Sequence, residues 1–122
     1  MKYFRAMEKR TGKVVYSEVI QKVKTIKSEQ VRVDSPELFE FVIQKDELKK
    51  LSEILKAYFG EPFQTQDQTL QQSVDRLTSL YGGIWGNQTL YYADRDLVCE
   101  FAMLWPWSDN CRITVKLIRH VK

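Results

Sequence analysis

The amino-acid sequence predicts one α+β domain over residues 1–122, built on an antiparallel sheet. Three observations lead to this fold class. Two amphipathic helical patterns occupy the middle of the chain, three strand-like runs end it, and only short polar turns separate those runs. Consecutive strands joined by short turns pair as an antiparallel meander, so we expect a C-terminal three-stranded meander with the two central helices packed on one face.

Composition sets the class of protein. The 122 residues are 43% apolar and 29% charged, which is typical of a globular domain with one core. No stretch of about 18 apolar residues predicts a membrane span, and no apolar run near Met1 resembles a secretion signal, so we expect a cytoplasmic protein without a membrane partner. Cys99 and Cys111 stand far apart and outside any Cys-x-x-Cys spacing. They predict free thiols, with no metal and no cofactor.

The N-terminal region predicts a β-hairpin. Residues 3–20 carry β-branched and aromatic side chains on both sides of Thr11 and Gly12, and a glycine at such a point is typical of a turn. Residues 14–26 also fit a helix, because Val15, Val19 and Val23 recur at helical spacing. Their β-branched side chains favour the strand interpretation.

The central helices have clear boundaries in the sequence. The first carries an apolar stripe from Leu48 to Phe59, with Asp46 as the expected N-cap and Gly60 as the stop. The second is capped by Asp67, and its stripe is Leu70, Val74, Leu77 and Tyr81. Both stripes predict packing against a sheet.

The meander comprises the runs 84–92, 97–107 and 112–121. If Asp94-Arg95 and Asp109-Asn110 are two-residue turns, then Cys99 pairs with Leu90 and His120, Glu100 with Thr89 and Arg119, and Leu104 with Trp85 and Val115. The middle run is apolar at both odd and even positions, which is typical of a strand covered on both faces. If the helices cover one face, the N-terminal strands, a ligand or a second copy must cover the other. We therefore expect a non-catalytic interaction module, a homodimer through that second face.

An aromatic pocket is the second functional hypothesis. The predicted ligand-binding residues are Trp85, Tyr91, Glu100, Trp105 and Trp107. Tryptophan and tyrosine are enriched at binding sites, and Glu100 at the floor of such a pocket would suit a cationic ligand. The structural alternatives are that the aromatic side chains fill the ends of the sheet and that Glu100 pairs internally with Arg119.

Catalysis and nucleic-acid binding have weaker support. The only histidine, His120, is predicted opposite Cys99, a combination capable of nucleophilic chemistry, but a buried cysteine is usually inert. Residues 1–33 hold nine Lys or Arg against three acids. A nucleic-acid surface there would use Lys9, Arg10, Lys13, Lys22 and Lys24, although lysines on an exposed edge strand also prevent aggregation.

Overall fold

The computed structural model describes residues 15–122, which form an α+β fold with a five-stranded antiparallel sheet. The elements in chain order are α1 (Tyr16–Val23), β1 (Gln30–Asp34), β2 (Leu38–Gln44), a 3-10 turn (Lys45–Glu47), α2 (Leu48–Phe59), α3 (Gln68–Ser79), β3 (Thr89–Arg95), β4 (Val98–Pro106) and β5 (Arg112–Val121). The strand order across the sheet is β1-β2-β5-β4-β3, so the last three strands form the predicted meander. The fold class is confirmed. No helix in the range 15–122 has the length and apolar character needed to cross a membrane.

The strand interpretation of residues 14–26 is wrong where the structure describes them, because Tyr16–Val23 is helix α1. Tyr16, Val19 and Val23 lie on one side of α1 and are buried, while the Glu18 side chain accepts a hydrogen bond from the Val15 N–H at 3.0 Å. Burial of this stripe outweighs the modest preference of β-branched residues for strands. The hairpin predicted for residues 3–20 therefore loses its second strand, and its turn at Thr11 and Gly12 lies outside the described residues.

The two helices predicted in the middle of the chain are present. Asp67 caps α3 by accepting hydrogen bonds from the backbone N–H groups of Thr69 and Leu70, as predicted. Gly60 ends α2 with a φ of 85°, a value that glycine adopts without strain. Asp46 is not the N-cap of α2, since it lies inside the 3-10 turn that precedes the helix.

One of the two predicted strand registers is confirmed and the other is wrong. The β4–β5 pairing matches, with Cys99 opposite His120, Glu100 opposite Arg119 and Leu104 opposite Val115. In the β3–β4 pairing, the same three residues lie opposite Asp94, Ala93 and Thr89. The turn is at Asp96 and Leu97 because Asp96 adopts a φ of 68°, a conformation that aspartate tolerates. The error is an even number of residues, so every side chain keeps its predicted face.

The expectation that both central helices share one sheet face is wrong. One core cluster joins α1 and α2 to Phe41, Ala102, Leu104 and Leu117 of the sheet. The other joins α3 and the residues after it to Phe101, Met103 and Ile118, which belong to the opposite face. The linker between α2 and α3 reaches this second face along the edge strand β3, where the Phe63 N–H donates to the Leu90 carbonyl at 2.7 Å. The chain thus covers its own second face.

A glycine pair tests the packing on the second face. A Cβ at Gly82 would overlap the ring of Trp105, whereas a Cβ at Gly60 would meet nothing within 4 Å, and both glycines have positive φ. Both alanine substitutions should cost about 1–3 kcal/mol in backbone strain, because alanine rarely adopts a positive φ. Gly82→Ala should lose a further ~1–3 kcal/mol to overpacking. Urea unfolding of the two variants measures the difference, and equal losses would contradict the contact between the α3–β3 segment and Trp105.

Candidate functional site

Glu100 is the only buried carboxylate among the described residues. It lies on the sheet face that α1 and α2 cover, near the end of β4 that leads from the Asp96 turn. Alternation along β4 places it on the same face as Ala102 and Leu104, which are core residues. A carboxylate at such a position requires hydrogen-bonding or charged partners, because removing it from water is unfavourable.

Three side chains from three different elements supply those partners. The Tyr58 hydroxyl of α2 donates to Oε1 of Glu100, and Nε of Arg95 at the end of β3 donates to the same oxygen at 3.3 Å. Nε of Arg119, opposite Glu100 on β5, lies 3.7 Å from Oε2. The predicted ion pair between Glu100 and Arg119 is therefore present, with Arg95 and Tyr58 added. Arg95 also stacks its guanidinium 4.8 Å from the centre of the Tyr58 ring.

These groups form one wall of a cavity of about 910 Å³, here called the Glu100 pocket. Its other walls are the outer turn of α1 and the β1–β2 turn. The residues that line this pocket include Val15, Tyr16, Ser17, Ile20, Lys24, Asp34, Pro36, Tyr58, Arg95, Glu100 and Arg119. The pocket lining therefore combines apolar, polar and charged side chains.

Tyr16 is the unusual member of this lining. Its side chain is only 9% exposed, and its hydroxyl has no hydrogen-bond partner in the described part of the chain. Burial, followed by the negative charge of Glu100, raises the pKa of Tyr16 above its ordinary value. Burial and the hydrogen bond to Glu100 raise the pKa of Tyr58 in the same direction. Both tyrosines therefore keep their protons at neutral pH, and Tyr16 is a donor without an acceptor.

The structure does not gather the predicted aromatic residues around Glu100. Tyr91 is buried in the core on the same face, 6.2 Å from Phe59 between ring centres. Trp105 points to the opposite face, where Lys116 Nζ lies 3.9 Å from its ring centre. Trp85 is 71% exposed in the segment after α3.

Trp107 lies beyond the end of β4 and is held there by its own contacts. Its Nε1 donates to Thr114 Oγ1 at 2.8 Å, and the guanidinium groups of Arg32 and Arg112 lie 5.7 and 5.4 Å from its ring. Arg112 also pairs with Glu29 at 2.8 Å. Of the five residues predicted to bind a ligand, only Glu100 lines the pocket.

Sequence reasoning missed Tyr16, Tyr58 and Arg95. Tyr58 was assigned to a helix stripe and Tyr16 to a strand, so neither could be placed near Glu100. Arg95 was assigned to a turn, because the β3–β4 register was misplaced. The available signal was Glu100 itself, since a charge on a two-sided apolar strand needs several partners from neighbouring elements.

The other predicted site residues are paired, are exposed on α1, or lie outside the described range. Cys99 and His120 are opposite each other, but the Cys99 sulfur is 3.4 Å from the Tyr92 hydroxyl, and His120 Nδ1 is 2.9 Å from the Tyr81 hydroxyl. Lys24 forms an ion pair with Asp34 at 3.0 Å, and Lys22 is exposed on α1. Lys9, Arg10 and Lys13 lie outside residues 15–122. Within that range, no cluster of His, Cys, Asp and Glu is arranged to hold a metal ion.

Comparison with known proteins assigns this chain to no family, so its structural class is defined by its fold alone. The chain has no significant match to a protein-family model, a curated protein or a solved structure. It is an α+β domain with a five-stranded antiparallel sheet, and its candidate site is the Glu100 pocket.

Two tyrosine substitutions with opposite expected signs test the polar wall. Tyr16→Phe removes a buried hydroxyl that lacks a partner, so it should raise the free energy of unfolding by about 1 kcal/mol. Tyr58→Phe removes a donor from buried Glu100, so it should lower that free energy by about 1–3 kcal/mol. Urea unfolding at neutral pH compares them. A loss for Tyr16→Phe as large as that for Tyr58→Phe would show that the Tyr16 hydroxyl has a partner.

Proposed function

We propose that this protein binds a small organic molecule in the Glu100 pocket. The observation that supports this most strongly is a cavity of about 910 Å³ lined by the buried carboxylate of Glu100 and by the partly exposed guanidinium groups of Arg95 and Arg119. Ligand sites are typically clefts of about 300–1,000 Å³ with apolar walls and a few convergent polar groups. Val15, Ile20 and Pro36 contribute apolar residues to the lining of the same cavity.

The polar wall suits binding because its groups are fixed before a ligand arrives. Glu100 accepts hydrogen bonds from α2 and β3, and the sheet register fixes Arg119 of β5 directly opposite it. A preorganised site avoids part of the entropy lost when a ligand orders its partners. At the same time, the side chains of Arg95 and Arg119 are 42% and 46% exposed, so a ligand can reach them from solvent.

The alternatives predicted from the sequence stay predictions. The homodimer was predicted from an apolar face left open by the helices, and α3 lies on that face. The nucleic-acid hypothesis is weakened at Lys24, because this side chain forms an ion pair with Asp34 and is not a free cation for a phosphate group. A cytoplasmic location remains the expectation for a ligand-binding domain of this composition.

A screen with a matched pair of blocking variants tests the proposal. Amide spectra of ¹⁵N-labelled protein should show shifts centred on residues 15–20, 95, 100 and 119 for at least one member of a fragment library that includes acids, amines and neutral molecules. Ser17→Trp should abolish these shifts, because Ser17 is an exposed residue of α1 that lines the pocket. Tryptophan fluorescence is a poor substitute here, since none of the three tryptophans lines the pocket.

The control is Ser73→Trp. Ser73 is an exposed serine of α3, which lies on the other face of the sheet, so this variant should bind as the unaltered protein does. Absence of any ligand from a broad library, or shifts that survive Ser17→Trp, would overturn the proposed site.

A further inference from the structure

The charged groups of the Glu100 pocket indicate which ligand class it accepts. Among residues 15–122, five charged residues line the pocket: Lys24, Asp34, Arg95, Glu100 and Arg119. Lys24 and Asp34 neutralise each other across 3.0 Å. What remains is one carboxylate between two guanidinium groups, which leaves one positive charge on the polar wall.

One oxygen of Glu100 is already occupied as an acceptor, and the other faces a guanidinium group. Its Oε1 accepts from Tyr58 and from Arg95, and its Oε2 faces Arg119 at 3.7 Å. A cationic ligand that approached Glu100 would meet the repulsion of both Arg95 and Arg119. The pocket therefore disfavours the cationic ligand that the sequence suggested.

Arg119 is paired with Glu100 by charge but not by a hydrogen bond. The Arg119 guanidinium lies 3.7 Å from Oε2, which is too far for a hydrogen bond, and its side chain is 46% exposed. A carboxylate supplies two acceptor oxygens and a negative charge, and guanidinium groups bind it with strong, directional hydrogen bonds.

We propose that the ligand is a small organic anion, in which a carboxylate group is attached to an apolar group. This inference rests on the proposed function. The carboxylate accepts hydrogen bonds from Arg119 and Arg95 beside Glu100, and the apolar group lies against Val15, Ile20 and Pro36. The net charge of the polar wall is neutral once this ligand is bound.

Three probes that share one apolar body test the charge preference. Phenylacetate, phenylacetamide and phenethylammonium differ mainly in the charge of the head group. Titration followed by amide shifts should give the order phenylacetate, phenylacetamide, phenethylammonium, from tightest to weakest. Arg119→Gln should weaken phenylacetate binding by about tenfold, the factor for one charge-assisted hydrogen bond, and phenylacetamide binding by much less. Arg119→Lys should retain part of the lost affinity, and Arg32→Gln, on the other face, should change neither.

The Glu100→Gln substitution should change the binding affinity of anions and of cations in opposite directions. Removing the negative charge should tighten phenylacetate binding by about threefold or more and weaken phenethylammonium binding. Phenylacetamide reports any structural damage, since its affinity should stay within about twofold. Tighter binding of phenethylammonium than of phenylacetate, or weaker phenylacetate binding in Glu100→Gln with unchanged phenylacetamide binding, would overturn the anion inference and leave the pocket as a binding site. Failure of all three probes together with the fragment library would overturn the proposed function as well.

Discussion

The constraint on which the rest of the structure depends is that β4 is apolar on both faces. Phe101 and Met103 point to one side, Ala102 and Leu104 to the other, and all four are buried. Burying a large side chain such as Phe101 stabilises the fold by about 1.5–3 kcal/mol relative to its exposed state, so leaving either face open would remove a large part of a marginal stability. The chain meets this constraint by sending α1 and α2 to one face and α3 to the other. The linker along β3 is the part of the chain that makes this possible.

Glu100 departs from that pattern, and the pocket exists because of it. Its burial would be unfavourable without partners, and Tyr58, Arg95 and Arg119 supply them from three elements. These partners are polar and partly exposed, so the core cannot close over them as it does over Leu104. A structural ion-pair cluster and a binding site share this chemistry. The feature that favours binding is the charge imbalance in the described lining, where two guanidinium groups lie beside one carboxylate.

The sequence predicted the sheet better than it predicted the site. Alternation along β4 and the polar turn at Asp109 and Asn110 were local patterns, and they gave the correct faces and the correct β4–β5 register. The β3–β4 register depended on which residue adopts a positive φ, and the string Ala93-Asp94-Arg95-Asp96 offers more than one choice. The sequence predicts a strand where helix α1 forms, because strand propensity is a local property of the residues. The apolar stripe of α1 is stabilised instead by contacts with α2 and the sheet, which only the folded chain provides. The site was missed for a related reason: its members come from α1, α2, β3, β4 and β5, and only the assembled fold brings them together. That Trp105 and Glu100 lie on opposite faces already followed from their odd and even positions.

Whether a single chain covers both faces of β4 can be tested directly through the two cysteines of the protein. Cys99 is buried in the cluster beneath α3, and Cys111 is exposed in the β4–β5 turn. Brief treatment with iodoacetamide, followed by peptide mass spectrometry, should label Cys111 rapidly in the native protein and Cys99 only after unfolding. The account predicts that the protection of Cys99 is the same at micromolar and nanomolar protein concentrations. Labelling of Cys99 at the rate of Cys111, or protection that disappears on dilution, would contradict it, because the second face would then be open or covered by another copy.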